Sequence, residues 1–261
     1  MKYVNCGCGS KFVIDNEWIN LDFHSGYGGR VRGCDLLKGL PFVDSSIDVV
    51  FSSCMLEHFT VEQARAHLKE CYRVLKTGGI VRIVVPDLEN VCKEYLKILE
   101  LVRKDKSYEH QYEYVVIELL DQMTRMYSGG EMQKYWENPD REEEYILYRT
   151  GYPAGWGETK PSVTSKMKAY ISFKTHKLLS KLKWYQYLCI GKFMLSGETH
   201  KWMYDEFSLQ ELLVSSGFKE VKYCVYNESE IQNWDKYGLE ITKEGKEYKP
   251  HSLYMEGIKR Q

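Results

Sequence analysis

Several common signatures are missing from this sequence. Its eight cysteines are scattered (Cys6, Cys8, Cys34, Cys54, Cys71, Cys92, Cys189 and Cys224). None forms a C-x-x-C pair, and no paired histidine spacing accompanies Cys6 and Cys8. The spacing rules therefore predict no zinc site, and the cysteines read as reduced, small hydrophobes in apolar surroundings. No run approaches about 18 uninterrupted apolar residues, so no membrane-spanning helix is expected. Met1-Lys2-Tyr3-Val4-Asn5 leads straight into strand-like residues rather than a secretory leader, which points to the cytoplasm. Net charge is nearly absent as well: 36 basic residues stand against 37 acidic ones, which gives no general drive toward nucleic acid. Internal repeats and low-complexity linkers are absent.

Aromatic residues make up 14% of the chain, mostly tyrosine, and favour a folded, contact-rich protein. The first ninety residues alternate strand and helix signals. Trp18-Ile19-Asn20-Leu21-Asp22 and Val31 to Asp35 read as short strands. Ile47 to Phe51 and Ile80 to Val85 are β-branched runs expected of strands covered on both faces. Between them a helix is predicted, with Thr60 as N-cap and Gln63 completing a capping box. Ala64, Leu68, Cys71 and Leu75 fall on one face, and Gly78-Gly79 supply the stop. Strand, helix, strand in that order implies parallel pairing through a right-handed crossover. The pattern returns late: Ser208 with Glu211 reads as a second capping box, Leu209, Leu212 and Leu213 as an apolar face, and Gly217 as the stop. Val221 to Val225 and Ser252 to Ile258 follow as strands.

The middle, about 91–204, has a helical texture and reads as an insertion or cap on a core formed by 1–90 and 205–261. From Lys160 to Lys201 it carries nine lysines and one acid, Glu198, interleaved with Trp184, Tyr185, Tyr187, Leu188, Ile190, Phe193 and Met194. A lysine run is usually a solvated face. This one also suits peripheral contact with an anionic membrane surface or a lipid-linked diphosphate glycan. Nucleic acid ranks below these, because no RNA-binding motif accompanies the lysines.

Residues 5–11 read N-C-G-C-G-S-K directly after the first strand. In open α/β sheets ligands sit at the carboxyl ends of the strands, so this glycine turn is a cofactor-site candidate. Gly7-Cys8-Gly9-Ser10-Lys11-Phe12 lacks the third glycine of G-x-G-x-x-G, which disfavours a nicotinamide cofactor, and no G-K-[ST] follows to make a phosphate loop. A turn that presents backbone amides to a carboxylate remains. Asp22, ending the second strand, could accept from a ribose diol. Asp35, with the Leu36 amide beside it, could accept from an adenine amino group. Carboxylate, ribose and adenine together describe S-adenosylmethionine.

The stretches N-C-G-C-G-S, I-N-L-D, G-C-D-L-L-K-G-L-P-F-V-D-S-S-I-D-V-V-F-S-S-C-M-L-E-H-F and Y-R-V-L-K-T-G-G-I-V-R-I-V-V-P-D-L resemble class I S-adenosylmethionine-dependent methyltransferases of the type 11 group. G-E-T-H-K-W-M-Y-D-E-F-S-L and the closing H-S-L-Y-M-E resemble a bacterial subgroup associated with surface-polysaccharide clusters. The resemblance spans about 1–90 and 196–261. Two departures stand out: Lys11 occupies the family's usual glycine, and the short stretch from Cys8 to Trp18 leaves the first helix abbreviated or absent.

The resemblance implies a Rossmann-like seven-stranded sheet with helices on both faces and an antiparallel last strand. It implies cofactor contacts at Asn5, Gly7, Cys8, Gly9, Asp22, Asp35, Leu36 and Ser53. His58, past the fourth strand, and His200, where the insertion rejoins the core, are equal candidates for general base, and Asp87 could act as base or orient one. The ordinary reading of such a histidine is a structural hydrogen-bonder. Trp202 and Tyr204 could stack on a sugar ring or anchor the insertion, and Asp205 could be a helix-start acid. The expected activity is O-methylation of a sugar hydroxyl of a surface glycan or its precursor. N-methylation of an amino sugar or small metabolite is the nearest rival, and a non-catalytic scaffold on the same fold is the reading from another class. No metal is expected, because a carboxylate cluster is not evident.

Overall fold

The computed structural model describes residues 1–154 and 182–261. Lys160, Lys166, Lys168, Lys174, Lys177 and Lys181, and with them most of the 160–201 membrane-contact candidate, lie outside the described residues. The chain divides into two compact units, one of residues 1–97, 149–151 and 200–261 and the other of 98–148 and 152–199.

The first unit is built on a seven-stranded sheet: β1 (Tyr3–Cys6), β2 (Trp18–Asp22), β3 (Val31–Gly33), β4 (Ile47–Ser53), β5 (Leu75–Pro86), β6 (Lys219–Cys224) and β7 (Ser252–Ile258). Their spatial order is β3-β2-β1-β4-β5-β7-β6. The pairs β1–β2, β1–β4, β2–β3 and β4–β5 are parallel, while β7 runs antiparallel to both β5 and β6. This is the Rossmann-like order expected, with the antiparallel last strand. The order reverses between β1 and β4, and a crevice at the carboxyl ends of the strands is therefore expected beside those two.

One face of the sheet packs beneath helices α1 (Val61–Val74) and α7 (Glu206–Ser215). Ala64, Leu68, Cys71 and Val74 meet Val50, Val81, Ile83 and Leu213 there, all fully buried. The Thr60–Gln63 capping box forms as predicted. Two other expectations are corrected. Helix α1 stops at Val74, before Gly78-Gly79, because Leu75 already pairs with Ile47 as strand and Lys259 donates to the carbonyls of Leu75 (2.7 Å) and Arg73 (3.3 Å). The second capping box joins Asp205 to Ser208, not Ser208 to Glu211, so Asp205 is the N-cap of α7.

The opposite face is covered mainly by irregular chain. Val13, Ile231, Trp234 and Leu239 pack on Tyr3, Trp18, Phe51 and Tyr254, with the single-turn helix α8 (Trp234–Tyr237) among them. No helix intervenes between β1 and β2, in line with the short stretch noted in the sequence.

Arg82 of β5 points into this second face and is fully buried. It donates to Glu240 from Nε (2.9 Å) and Nη2 (2.5 Å), to Glu256 from Nη1 (2.8 Å), and to the carbonyls of Glu228 (2.8 Å) and Val225 (3.0 Å). Every guanidinium N–H has a use in such a set. Its carbon stands 4.7 Å from the Trp234 ring centre. Burial works against the charge, and Glu240 followed by Glu256 outweighs it, so the guanidinium pKa is raised.

The second unit holds α3 (Glu109–Thr124), α4 (Gly130–Glu137), most of α5 (Glu143–Thr150) and α6 (Lys183–Met194); α2 (Leu88–Lys104) begins in the first unit. Tyr114 centres its core, with ring contacts to Tyr135 (5.3 Å) and Tyr145 (5.8 Å). On α6, Trp184, Tyr187 and Leu188 are exposed. Among the described residues no helix is long and apolar enough to cross a membrane.

Replacing Arg82 by methionine leaves two buried carboxylates without their cation. Breaking a buried ion pair from one side costs about 3–5 kcal/mol. Arg82→Met is therefore expected to lower the thermal midpoint by many degrees, whereas Lys104→Met, at the exposed pair with Glu100, leaves it nearly unchanged.

Candidate functional site

At the reversal between β1 and β4 lies a cavity of about 210 Å³. Its floor is the turn after β1, from Gly7 to Lys11, together with Asn5. Phe51, Ser53 and Cys54 at the end of β4 form one wall, and Leu239, Tyr248 and Lys249 the other. The two glycines have different reasons for being there. Gly7 has φ +67°, and a Cβ on it would stand 2.4 Å from Met55 Cγ, so the position admits no side chain. Gly9 has φ +52° and open space where a Cβ would be, so its backbone is bare toward the cavity.

The turn is held by its neighbours. The Gly7 and Cys8 amides donate to the Leu21 carbonyl (2.9 and 3.1 Å) and the Gly9 amide to Asp22 Oδ2 (2.8 Å). Buried Asn5 donates to the Lys11 carbonyl (3.1 Å). Asp22 thus spends one carboxylate oxygen on shaping the loop. Cys8 is buried, and its thiol pKa is pushed up to about 11 by burial and by the nearby Asp22 charge. Lys11 lies 4.0 Å over the Tyr248 ring and donates to the Ile241 carbonyl (3.4 Å). Its pKa is lowered by burial and by the charge of Lys249. Lys249 in turn reaches Ser53 Oγ (3.5 Å). Two ammonium groups therefore converge on the cavity, which makes the site attractive to an anion such as a carboxylate.

A second grouping sits just past β4. Met55 begins a 3-10 turn over Leu56–His58, which buries the Glu57 side chain. The segment 200–204 returns to the sheet between two fixed points: the Lys201 and Trp202 amides donate to the Glu57 carbonyl (2.7 and 3.2 Å), and the Leu88 amide donates to the Tyr204 carbonyl (2.8 Å). That threading sets His200 beside His58, their rings perpendicular with centres 4.9 Å apart. A ligand atom from each of Glu57, His58 and His200 lies within 4.8 Å of the other two. Glu57 is 1% exposed and neither carboxylate oxygen has a hydrogen-bond partner. Burial pushes its pKa up to about 7, with its own backbone amide, then the Lys249 charge and the Cys54 thiol acting the other way.

The remaining sequence candidates have local duties. Asp35 caps the 3-10 turn Leu36–Lys38 by accepting from the Leu37 amide (3.1 Å), and pairs with Lys38 (3.2 Å); neither it nor buried Leu36 lines the cavity. Asp87 accepts from the Glu89 amide (2.9 Å) at the start of α2, and burial raises its pKa. Trp202 is 46% exposed, while Tyr204 is buried in the core with its hydroxyl unpartnered and its pKa raised by burial and by the Glu57 charge. The sequence reading missed Glu57, Lys249, Tyr248 and Leu239. Glu57 was signalled only by its place beside His58 in L-E-H-F, and the other three come from the distant end of the chain.

Residues 21–83 match the family model described as a methyltransferase domain. A probable tRNA methyltransferase 9B of Bos taurus is 28% identical over 113 residues, covering 40% of this chain and 25% of the relative. A putative methyltransferase of Encephalitozoon cuniculi is 36% identical over 90 residues, covering 31% of this chain and 41% of the relative. The chain thus spans less than half the length of these curated relatives. Among solved structures, a putative methyltransferase of Haloferax volcanii in complex with the activator Trm112 has 12% identity and a TM-score of 0.42. That match covers all of this chain and 83% of the other. A SAM-dependent methyltransferase of Archaeoglobus fulgidus has 13% identity and a TM-score of 0.41, covering 99% of this chain and 86% of that one.

Gly7→Ala tests how far the turn is constrained. The added methyl meets the Met55 side chain in a backbone conformation unfavourable to L-residues. The expected loss is about 1–3 kcal/mol, read from chemical denaturation. Gly9→Ala, with open space at its Cβ, is expected to lose about 1 kcal/mol, the αL cost alone.

Proposed function

We propose that this protein is an S-adenosylmethionine-dependent methyltransferase acting on a hydroxyl of a small acceptor, a sugar of a surface glycan or its precursor being the class favoured by the motifs around His200 and His251. The observation that carries the reading is the Gly7–Gly9 turn locked to Asp22 at the reversal of the sheet, opening on a cavity lined by Lys11 and Lys249. In this reading the cavity takes the methionine end. The two lysines receive its carboxylate, which offsets the departure at Lys11. The second oxygen of Asp22 receives the ribose diol, and Asp35 with the Leu36 amide the adenine. Ser53 and Cys54 then border the sulfonium.

The methyl group passes in line from sulfur to the acceptor oxygen: the sulfur–carbon bond breaks as the oxygen–carbon bond forms, and the hydroxyl proton leaves to His58 or His200. Holding donor and acceptor at near-attack distance supplies roughly 7–11 kcal/mol of the barrier, and a positioned base about 10²–10⁴-fold. Trp202, exposed beside His200, offers a ring for a sugar face. One curated relative is described as a tRNA methyltransferase. The balanced charge of this chain favours a smaller acceptor.

Calorimetry with S-adenosylmethionine and S-adenosylhomocysteine, with NAD as control, tests the cofactor. Micromolar binding of the adenosyl ligands, about −8 kcal/mol, and none of NAD is expected. Lys249→Met is expected to weaken that binding by about tenfold or more, the loss of one charge-assisted hydrogen bond. Absence of adenosyl binding in the wild type would leave the fold as a scaffold. Mass spectrometry of the methylated product then separates oxygen from nitrogen as the acceptor atom.

A further inference from the structure

We infer that Glu57, His58 and His200 form a binding site for a first-row divalent cation, with zinc the best match. Two imidazoles and one carboxylate are a common donor set for Zn²⁺ and its neighbours. Cation–ligand bonds of about 2.0–2.2 Å place ligand atoms within roughly 4.4 Å of one another. Here the three candidate atoms lie within 4.8 Å, so small side-chain adjustments close the shell.

A second observation points to a positively charged guest. Glu57 is buried to 99% and neither of its oxygens has a hydrogen-bond partner, although native chains rarely leave a buried carboxylate in that state. Lys249 acts on it through its charge, while the ammonium itself reaches Ser53 Oγ (3.5 Å) and makes no hydrogen bond to Glu57. A cation held by the two imidazoles would satisfy the Glu57 oxygens directly.

The backbone also supports a built site. The Glu57 carbonyl accepts the Lys201 and Trp202 amides, so the residue that supplies the carboxylate also anchors the segment that supplies the second imidazole. Three protein ligands leave a coordination position for water or another oxygen. The nitrogen that coordinates an ion cannot accept a proton at the same time, so the ligand role and the base role of these histidines exclude each other.

The test needs no acceptor and no adenosyl ligand: stoichiometric binding would remove His58 and His200 as the base of the methyl transfer and leave the cofactor reading to its own calorimetry. The full chain is freed of metal with a chelator and titrated with Zn²⁺ by calorimetry and with Co²⁺ by visible absorption. One equivalent of each is expected to bind, with d–d bands from the Co²⁺ and a higher thermal midpoint. Glu57→Gln and His200→Asn are expected to weaken Zn²⁺ binding at least tenfold, whereas His24→Asn, at an exposed histidine, leaves it unchanged. Mg²⁺, which prefers all-oxygen shells, is expected not to compete. If Glu57→Gln does not give the wild-type circular dichroism spectrum, His58→Asn, at a half-exposed position, is judged by the same criterion. No stoichiometric binding by the wild type, or equal binding by the folded variants, overturns the assignment.

Discussion

Arg82 is the constraint on which the cavity depends. It sits fully buried on β5 with its cation neutralised by Glu240 and Glu256, and two further backbone carbonyls complete its hydrogen bonds. Glu256 lies directly across on β7, in register with Arg82, so that pair strengthens an existing ladder. Glu240 comes from irregular chain that has no ladder to hold it. Its neighbours are Leu239, which lines the cavity, and Ile241, whose carbonyl accepts from Lys11. The Glu240 carbonyl also accepts the Tyr248 amide (2.8 Å), one residue from Lys249. A wall made of loops is thus tied to a central strand of the sheet by one desolvated ion cluster, in which Glu256 also accepts from the Glu230 amide (3.0 Å).

The second constraint is the return of the chain to the sheet after residue 199. Segment 200–204 is pinned by the Glu57 carbonyl at one end and by a parallel bridge to Asp87 at the other. Both anchors are at carboxyl ends of adjacent parallel strands, β4 and β5. Backbone hydrogen bonds therefore help to position His58 and His200, whose rings also pack on each other. Two polar groupings result at the end of β4, the lysine-lined cavity and the Glu57–His58–His200 group. The Lys249 charge, which borders the cavity, also favours the ionised form of Glu57.

Much of the scaffold was legible in the sequence because its signals are short-range. The β-branched runs at 47–51 and 80–85, the Thr60–Gln63 box and the alternation over 252–258 each depend on residues within a few positions of one another, and each appears in the structure. The misplacements come from long-range forces. Helix α1 ends early because Lys259, at the far end of the chain, captures carbonyls at its C-terminus. The start of α7 falls at Asp205 because the bridge to Asp87 keeps Tyr204 extended, which leaves Asp205 as the first residue able to cap. The candidate site shows the same division. The glycine turn and Asp22 are adjacent to predicted strand ends and could be found from pattern. Lys249 and the meeting of His58 with His200 depend on how loops close in space, and no local spacing encodes either.

The central claim is that the cavity at the reversal between β1 and β4 receives the amino-acid end of an adenosyl cofactor. The most direct measurement is a crystal structure with S-adenosylhomocysteine. The account predicts the carboxylate of the ligand beside the Gly7–Lys11 turn with Lys249 or Lys11 in reach, the ribose hydroxyls at Asp22, and the sulfur near Ser53 and Cys54. A ligand bound elsewhere, or bound with its adenine in the Gly7–Lys249 cavity, would contradict it.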